Sequence, residues 1–214
     1  MKIAAKTPRP PRNTDWKGEK GFTGMRNAGQ GSSHESRATS NEARSSSSWP
    51  DDIHRVLTDA NVRQVGYVPD SGHARLIDLV RADRRMRAIP LTTEEEGAAL
   101  AVGAWLGGER SVLLMQSSGA GNCINMLGMV NECRVPLLTL VTMRGQWGEF
   151  NPWQVPMSQA TVPSLAAIGV VVQGVDRAAE VGETVAAAAR LAFSTCRMVA
   201  VLISQRVVGA KQFK

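Results

Sequence analysis

Ser111-Val112-Leu113-Leu114-Met115-Gln116, running into Ser117-Ser118-Gly119-Ala120-Gly121, is the stretch that decides the fold. An unbroken apolar run of strand length gives way to small residues and glycines, and Gly121 to Val130 then reads as a helix. The same unit recurs on both sides of it. Upstream, Gln64 to Val68 reads as a strand, Gly72 to Ala82 as a helix and Arg87 to Leu91 as a second strand. Trp49-Pro50-Asp51 opens an earlier helix to about Ala60, with Pro where its missing donor does no harm. Downstream, Pro136 to Thr142, Gly169 to Gln173 and Met198 to Ser204 read as strands, Asp176 to Phe193 as a long Ala-rich helix, and a weaker helical pattern lies near Ser158 to Ile168. Regular alternation of this kind predicts an α/β fold, a doubly wound, mainly parallel six-stranded sheet with helices on both faces.

In such a sheet ligands bind in the crevice outside the carboxyl ends of the strands. The unusual loops of this chain fall there: Pro69-Asp70-Ser71-Gly72-His73, Thr92 to Glu95, Ser117 to Asn122, and the fourteen residues from Met143 to Pro156. Gly119-Ala120-Gly121 lacks the third glycine and the following acid of a dinucleotide fingerprint, and no Walker phosphate loop exists. His73 is one of three histidines in the chain and the only one in a strand-end loop, a candidate for proton transfer, although a histidine so placed is more often a core residue. Arg144 is a candidate for holding a substrate anion bidentately. Trp147, Phe150 and Trp153 are costly to expose, so the last loop reads as a lid or a subunit interface.

Between the second and third strands, Thr93-Glu94-Glu95-Glu96 opens a helix that is apolar on every side as far as Leu106. Such a helix is normally buried, which presses its first-turn carboxylates toward an interior or a cleft. Thr93 and Glu96 have the spacing of a capping box, a structural task for Glu96. Glu94 and Glu95 both face small apolar residues, and periodicity does not choose between them.

Charge separates the domain from what precedes it. Residues 1–48 carry nine Lys or Arg against four acids, a balance of +5 out of a total of +6, and end in four serines. That stretch is too poor in aliphatic residues to offset its ordering entropy, so it is expected to be a disordered basic tail ahead of a domain over residues 49–214. Its Arg- and Ser-rich character also fits a transit peptide or an electrostatic arm. No aromatic-basic interleaving, zinc spacing or recognition helix accompanies it, so no nucleic-acid partner is expected, and a dispensable extension or an upstream start is the preferred reading. Three cysteines without metal or redox spacing fit reduced thiols. Without an apolar run of membrane length or a secretory segment, the expectation is a soluble, cytoplasmic protein with no membrane partner.

Taken together, Tyr67-Val68-Pro69-Asp70, Thr93-Glu94-Glu95-Glu96-Gly97-Ala98, Gly103-Ala104-Trp105, Met115 to Asn122 and Arg144-Gly145 resemble the pyrimidine-binding domain of thiamine diphosphate-dependent 2-oxo acid decarboxylases. Within that superfamily they look most like the alpha subunit of sulfopyruvate decarboxylase and the amino-terminal half of phosphonopyruvate decarboxylase. The resemblance spans Trp49 to about Phe213. It implies that Glu95, ten residues before Trp105, is the catalytic glutamate. Its implied role is to hydrogen-bond N1′ of the aminopyrimidine and favour the imino tautomer that takes the proton from the thiazolium. By the same resemblance Gly119, Gly121 and Asn122 lie beside the pyrimidine ring, and Ser71 beside the substrate. The adjacent histidine pair of pyruvate decarboxylase is missing, which argues against that substrate.

Enzymes of this kind hold magnesium and the diphosphate through a Gly-Asp-Gly stretch, and none occurs in these 214 residues. The implied partner is a beta subunit carrying that domain, in a hetero-oligomer with the cofactor across the interface. The implied substrate is a 2-oxo acid with a second anionic group. A binding or regulatory subunit that keeps the fold without the chemistry is the alternative.

Overall fold

The computed structural model describes residues 48–210, so the expected basic tail lies outside the described residues. Helix α1 (Trp49–Asp59) leads into β1 (Val62–Tyr67), α2 (Ala74–Ala82), β2 (Arg87–Pro90), α3 (Glu94–Leu106) and β3 (Arg110–Gln116). The chain continues through α4 (Ser117–Glu132), β4 (Leu137–Thr142), α5 (Gln154–Ala167), β5 (Val171–Val175), α6 (Val181–Thr195), β6 (Met198–Ile203) and α7 (Gln205–Val208). All six strands pair in parallel in the order β2-β1-β3-β4-β6-β5. The order reverses between β1 and β3, the switch point at which this class of fold opens a crevice.

Two apolar layers sandwich the sheet. Ile53, Leu57, Leu76, Val80, Val185 and Ala188 of α1, α2 and α6 cover one face together with Val65, Leu114 and Leu140. Ala98, Ala101, Cys123, Leu127 and Leu165 of α3, α4 and α5 cover the other, against Leu113, Met115, Val141 and Leu202. Strands β4 and β6 are buried at every position, hence their continuous Val/Leu/Ile character. Each such side chain contributes roughly 1.5–3 kcal/mol of burial. Helix α3 lies close to the sheet because Gly97, Ala98, Ala101 and Ala104 are the residues it buries.

Several expected boundaries move. Helix α4 begins at Ser117 rather than Gly121, so Ser117-Ser118-Gly119-Ala120 form its first turn and not a loop. Helix α5 likewise starts at Gln154, with Pro156 in its first turn and Pro163 inside it. Strand β5 runs two residues later than expected and is followed by a short 3-10 turn, Ala178–Glu180. The capping box does not form: Thr93 makes no side-chain cap, and the Glu96 carboxylate reaches past the Thr93 amide to accept from the Thr92 amide at 2.8 Å. No helix of the described residues is long and apolar enough to cross a membrane.

Candidate functional site

Three strand ends meet around Asp70, a residue of the Tyr67-Val68-Pro69-Asp70 motif to which the sequence assigns no role. Its Oδ1 accepts from the Gln116 side-chain amide at 3.0 Å and its Oδ2 from the Thr142 hydroxyl at 2.7 Å, which ties the ends of β1, β3 and β4 together. Gln116 extends the network, since its Oε1 accepts from Ser118 at 3.0 Å and from Gln154 at 3.3 Å. The turn after β1 closes over this carboxylate: a Cβ on Gly72 would meet Asp70 Oδ2 at 2.9 Å and the Thr142 methyl at 2.8 Å. Asp70, Ser71, Thr142 and Arg144 line a cavity of about 140 Å³ that Val208, Gly209 and Ala210 close from the other side.

Arg144 reaches this cavity already paired through one edge of its guanidinium. Its Nε and Nη2 donate to the two oxygens of Glu149 at 2.7 and 2.6 Å, and both side chains are more than nine-tenths buried. Bidentate pairing holds the Glu149 carboxyl down to about 2, with the Gly145 and Asn151 amides and the Gln205 side chain as further donors. The sequence expects Arg144 to hold a substrate anion; in the structure its charge is balanced by Glu149, and the donors of Nη1 make no hydrogen bond to Glu149. With Glu149 it forms the post of the loop between β4 and α5. Gln205 braces that loop again, its Oε1 accepting from the Gln146 and Trp147 amides at 2.9 and 3.0 Å.

His73 also departs from expectation. It is fully buried, its Nε2 lies 3.1 Å from the Leu140 carbonyl, and its Nδ1 has no hydrogen-bond partner. Nε2 thus donates, and the ring is the neutral tautomer with a bare Nδ1. Burial pushes its pKa below 6.5 against the opposing pull of the Asp70 carboxylate. Fully buried and bonded to the Leu140 carbonyl, His73 packs as a core residue in this chain, where the sequence expects proton transfer.

The glutamates separate clearly. Glu94 is buried, and its Oε2 accepts from the Asn122 amide at 3.0 Å across to α4. Its carboxylate lies flat on Gly119, where an added Cβ would fall on the Glu94 carboxyl carbon. Gly119 lacks a side chain so that α3 and α4 can meet, and Gly121 similarly faces the Met157 sulfur, 3.1 Å from where its Cβ would be. Gly119→Ala is expected to displace Glu94 and break its bond to Asn122. A cost of about 1–3 kcal/mol should appear as a lower thermal midpoint, and an unchanged midpoint would refute the contact.

Glu95, by contrast, is exposed, and among the described residues no hydrogen bond or ion pair engages its carboxylate. Beside it on the helix are exposed Ala99 and half-buried Val102, apolar neighbours that a planar ring can lie against, while Ala98 is buried in the core. Its charge is felt by the buried Cys123 thiol, which burial, Glu94 and Glu95 together push up to about 12. The cysteines are unpaired, Cys123 buried and the other two exposed. Among the described residues, no group of three or more His, Cys, Asp or Glu is placed to hold a metal ion.

With this geometry the comparisons are specific. The family "Thiamine pyrophosphate enzyme, N-terminal TPP binding domain" matches residues 50–159, which contain β1 to β4, the Asp70 network and all three glutamates. The chain belongs to the thiamine pyrophosphate enzymes. It is 32% identical over 152 residues to the sulfopyruvate decarboxylase subunit alpha of Methanothermobacter thermautotrophicus, covering 71% of this chain and 92% of that one. The corresponding subunit of Methanococcus maripaludis is 34% identical over 119 residues, 55% of this chain and 71% of that one. Phosphonopyruvate decarboxylase of Streptomyces hygroscopicus is 40% identical over 99 residues, 46% of this chain and 25% of that protein. The fold is shared with 2-oxoglutarate:ferredoxin oxidoreductase of Magnetococcus marinus, at a TM-score of 0.61 and 14% identity over 76% of this chain and 29% of that one. As a thiamine pyrophosphate enzyme domain, the chain carries its crevice at the expected sheet edge.

Proposed function

We propose that this chain is the alpha subunit of a thiamine diphosphate-dependent decarboxylase acting on a 2-oxo acid with a second anionic group, of the phosphonopyruvate or sulfopyruvate kind. The observation that carries the reading is the unengaged Glu95 carboxylate at the mouth of α3, beside apolar neighbours suited to the aminopyrimidine. Thiamine diphosphate, when bound, supplies a nucleophilic ring carbon and an electron sink for loss of carbon dioxide. Glu95 accepts or donates the proton at the pyrimidine nitrogen, and its exposure in the single chain leaves it free to do so. Glu94 fixes that end of α3 by gripping α4 through Asn122. Ser71, exposed at the cavity rim beside Asp70, is placed to hydrogen-bond the substrate.

In this reading the rest of the site belongs to a partner, and charge supports it. Among the described residues lining the cavity the one cation, Arg144, is already paired to Glu149 and Asp70 is an acid, so the substrate's second anion is left to a cation of the partner. The chain also lacks a Gly-Asp-Gly stretch. A beta subunit holding the diphosphate and Mg²⁺ fills both gaps, in a cytoplasmic hetero-oligomer without nucleic-acid or membrane partners.

Titration calorimetry tests this. Thiamine diphosphate with magnesium is added to the chain alone, and to the chain mixed with a neighbouring-gene product of about 150–200 residues bearing Gly-Asp-Gly, the size of one such domain. Binding is expected to the pair and not to either component. Failure of the pair to assemble or to bind the cofactor would leave a non-catalytic binding module.

A further inference from the structure

The two helical layers differ sharply in charge. Helices α1, α2 and α6 carry Asp51, Asp52, Arg55, Asp59, Arg75, Asp78, Arg81, Glu183 and Arg190. On the other face, α3 has no charged residue after Glu96, α4 has only its terminal Glu132, and the run from Phe150 through α5 to Val175 has none. Exposed apolar bulk has the same distribution. Among the described residues, Leu106, Met129, Trp147, Phe150, Trp153, Val155 and Val162 are the large hydrophobics in solvent, and every one lies on α3, α4, α5 or the loop entering α5. Depletion of charge with enrichment of Trp, Phe and Met is the composition of an interface core.

The loop itself is built to hold its shape. Glu149 accepts from the Arg144 side chain, the Gly145 and Asn151 amides and Gln205, while Gln205 holds the Gln146 and Trp147 amides. Arg144 stacks on Phe150 at 5.7 Å and Arg206 on Trp147 at 5.4 Å. A lid that opens and shuts would break this bracing at each cycle. A fixed platform of aromatic anchors keeps it, and rigid aromatics bind at little entropic cost. Of the two roles open to the loop, the bracing favours the interface.

We propose that the α3–α4–α5 layer and the braced loop form the docking surface for the cofactor-holding partner subunit, with Trp147 and Trp153 as its anchors. The inference rests on the heteromeric reading above and adds where the partner sits. That occupant is favoured over a second copy of this chain by continuity with the site. Glu95 opens α3 on this same layer, and the subunit that completes the pocket over Glu95 must also cover the helix behind it. A second copy would bring another glutamate helix and no Gly-Asp-Gly stretch.

The test compares the full chain with Trp153→Ser, whose side chain is in solvent (the residue is 75% exposed) and is not needed for folding, and with Arg190→Ala in the opposite layer. Binding of each to the neighbouring-gene product bearing Gly-Asp-Gly is measured by calorimetry, with circular dichroism to verify the fold. Trp153→Ser is expected to weaken association about 30-fold, and Arg190→Ala to leave it unchanged. Wild-type affinity in a folded Trp153→Ser chain would overturn the surface while leaving the heteromer intact. A wild-type chain that binds no such product overturns the heteromeric reading and the surface with it. Sedimentation showing a dimer of this chain that Trp153→Ser dissociates would assign the surface to a second copy instead.

Discussion

Glu95→Gln is expected to lower the decarboxylation rate of the assembled enzyme by about 10³-fold, in the middle of the range for loss of a positioned acid–base group. Gln preserves size and one acceptor but cannot exchange a proton with the pyrimidine nitrogen. Because no hydrogen bond or ion pair engages the Glu95 carboxylate among the described residues, the fold and subunit affinity should be untouched, and the loss should fall on kcat with little change in KM. Glu94→Gln is the matched control. Glu94 is buried and bonded to Asn122, so its replacement should lower thermal stability by about 1–3 kcal/mol and cost activity only through misplacement of α3. Steady-state rates and thermal midpoints for the two variants decide the matter. A larger catalytic loss in Glu94→Gln than in Glu95→Gln would transfer the role to the buried acid.

The largest stability effect is expected at the Arg144–Glu149 pair. Glu149→Gln leaves a buried guanidinium without its counter-ion, at a cost of about 3–5 kcal/mol. For a domain of this size that corresponds to a fall of roughly 6–20 °C in Tm. Replacing both partners with apolar residues, Arg144→Met with Glu149→Leu, should recover much of it, although the amides that Glu149 accepts from lose their partner. The wild-type pair also sets an acid limit. Glu149 titrates at about 2 when folded against 4.5 ordinarily, so its contribution is complete above about pH 4.5 and is lost as pH falls toward about 2. Scanning calorimetry from pH 7 to pH 3 should show that loss in the wild type and its absence in the double variant. A Glu149→Gln chain melting within two degrees of wild type would show that the post is not structural.

Local pattern carried most of the fold. Continuous apolar strands alternating with helices announced the parallel sheet and the edge where its loops converge. It failed where the chemistry is tertiary. Ser117 to Ala120 has turn composition, yet becomes the first turn of α4 because the glycines accept Glu94 and Met157 from neighbouring elements. The different surroundings of Glu94 and Glu95 were invisible to periodicity, since Glu94 is held by Asn122, 28 residues away. Asp70 acquires its importance from Gln116 and Thr142, 46 and 72 residues downstream, so its own motif marks the loop without assigning it a role. Arg144 looked available because its partner Glu149 sits in an irregular loop, where spacing carries no rule. The full burial of His73 likewise depends on the strands packed over it, which its own loop does not announce.

The uncharged layer has a consequence for how much of this chain a cell can tolerate by itself. An orphan copy shows solvent two tryptophans, a phenylalanine and three apolar helices, a surface that attracts other exposed apolar surfaces as its concentration rises. Supply of the two subunits is therefore expected to be matched, and surplus alpha chain to be removed by proteolysis or lost as aggregate before it accumulates.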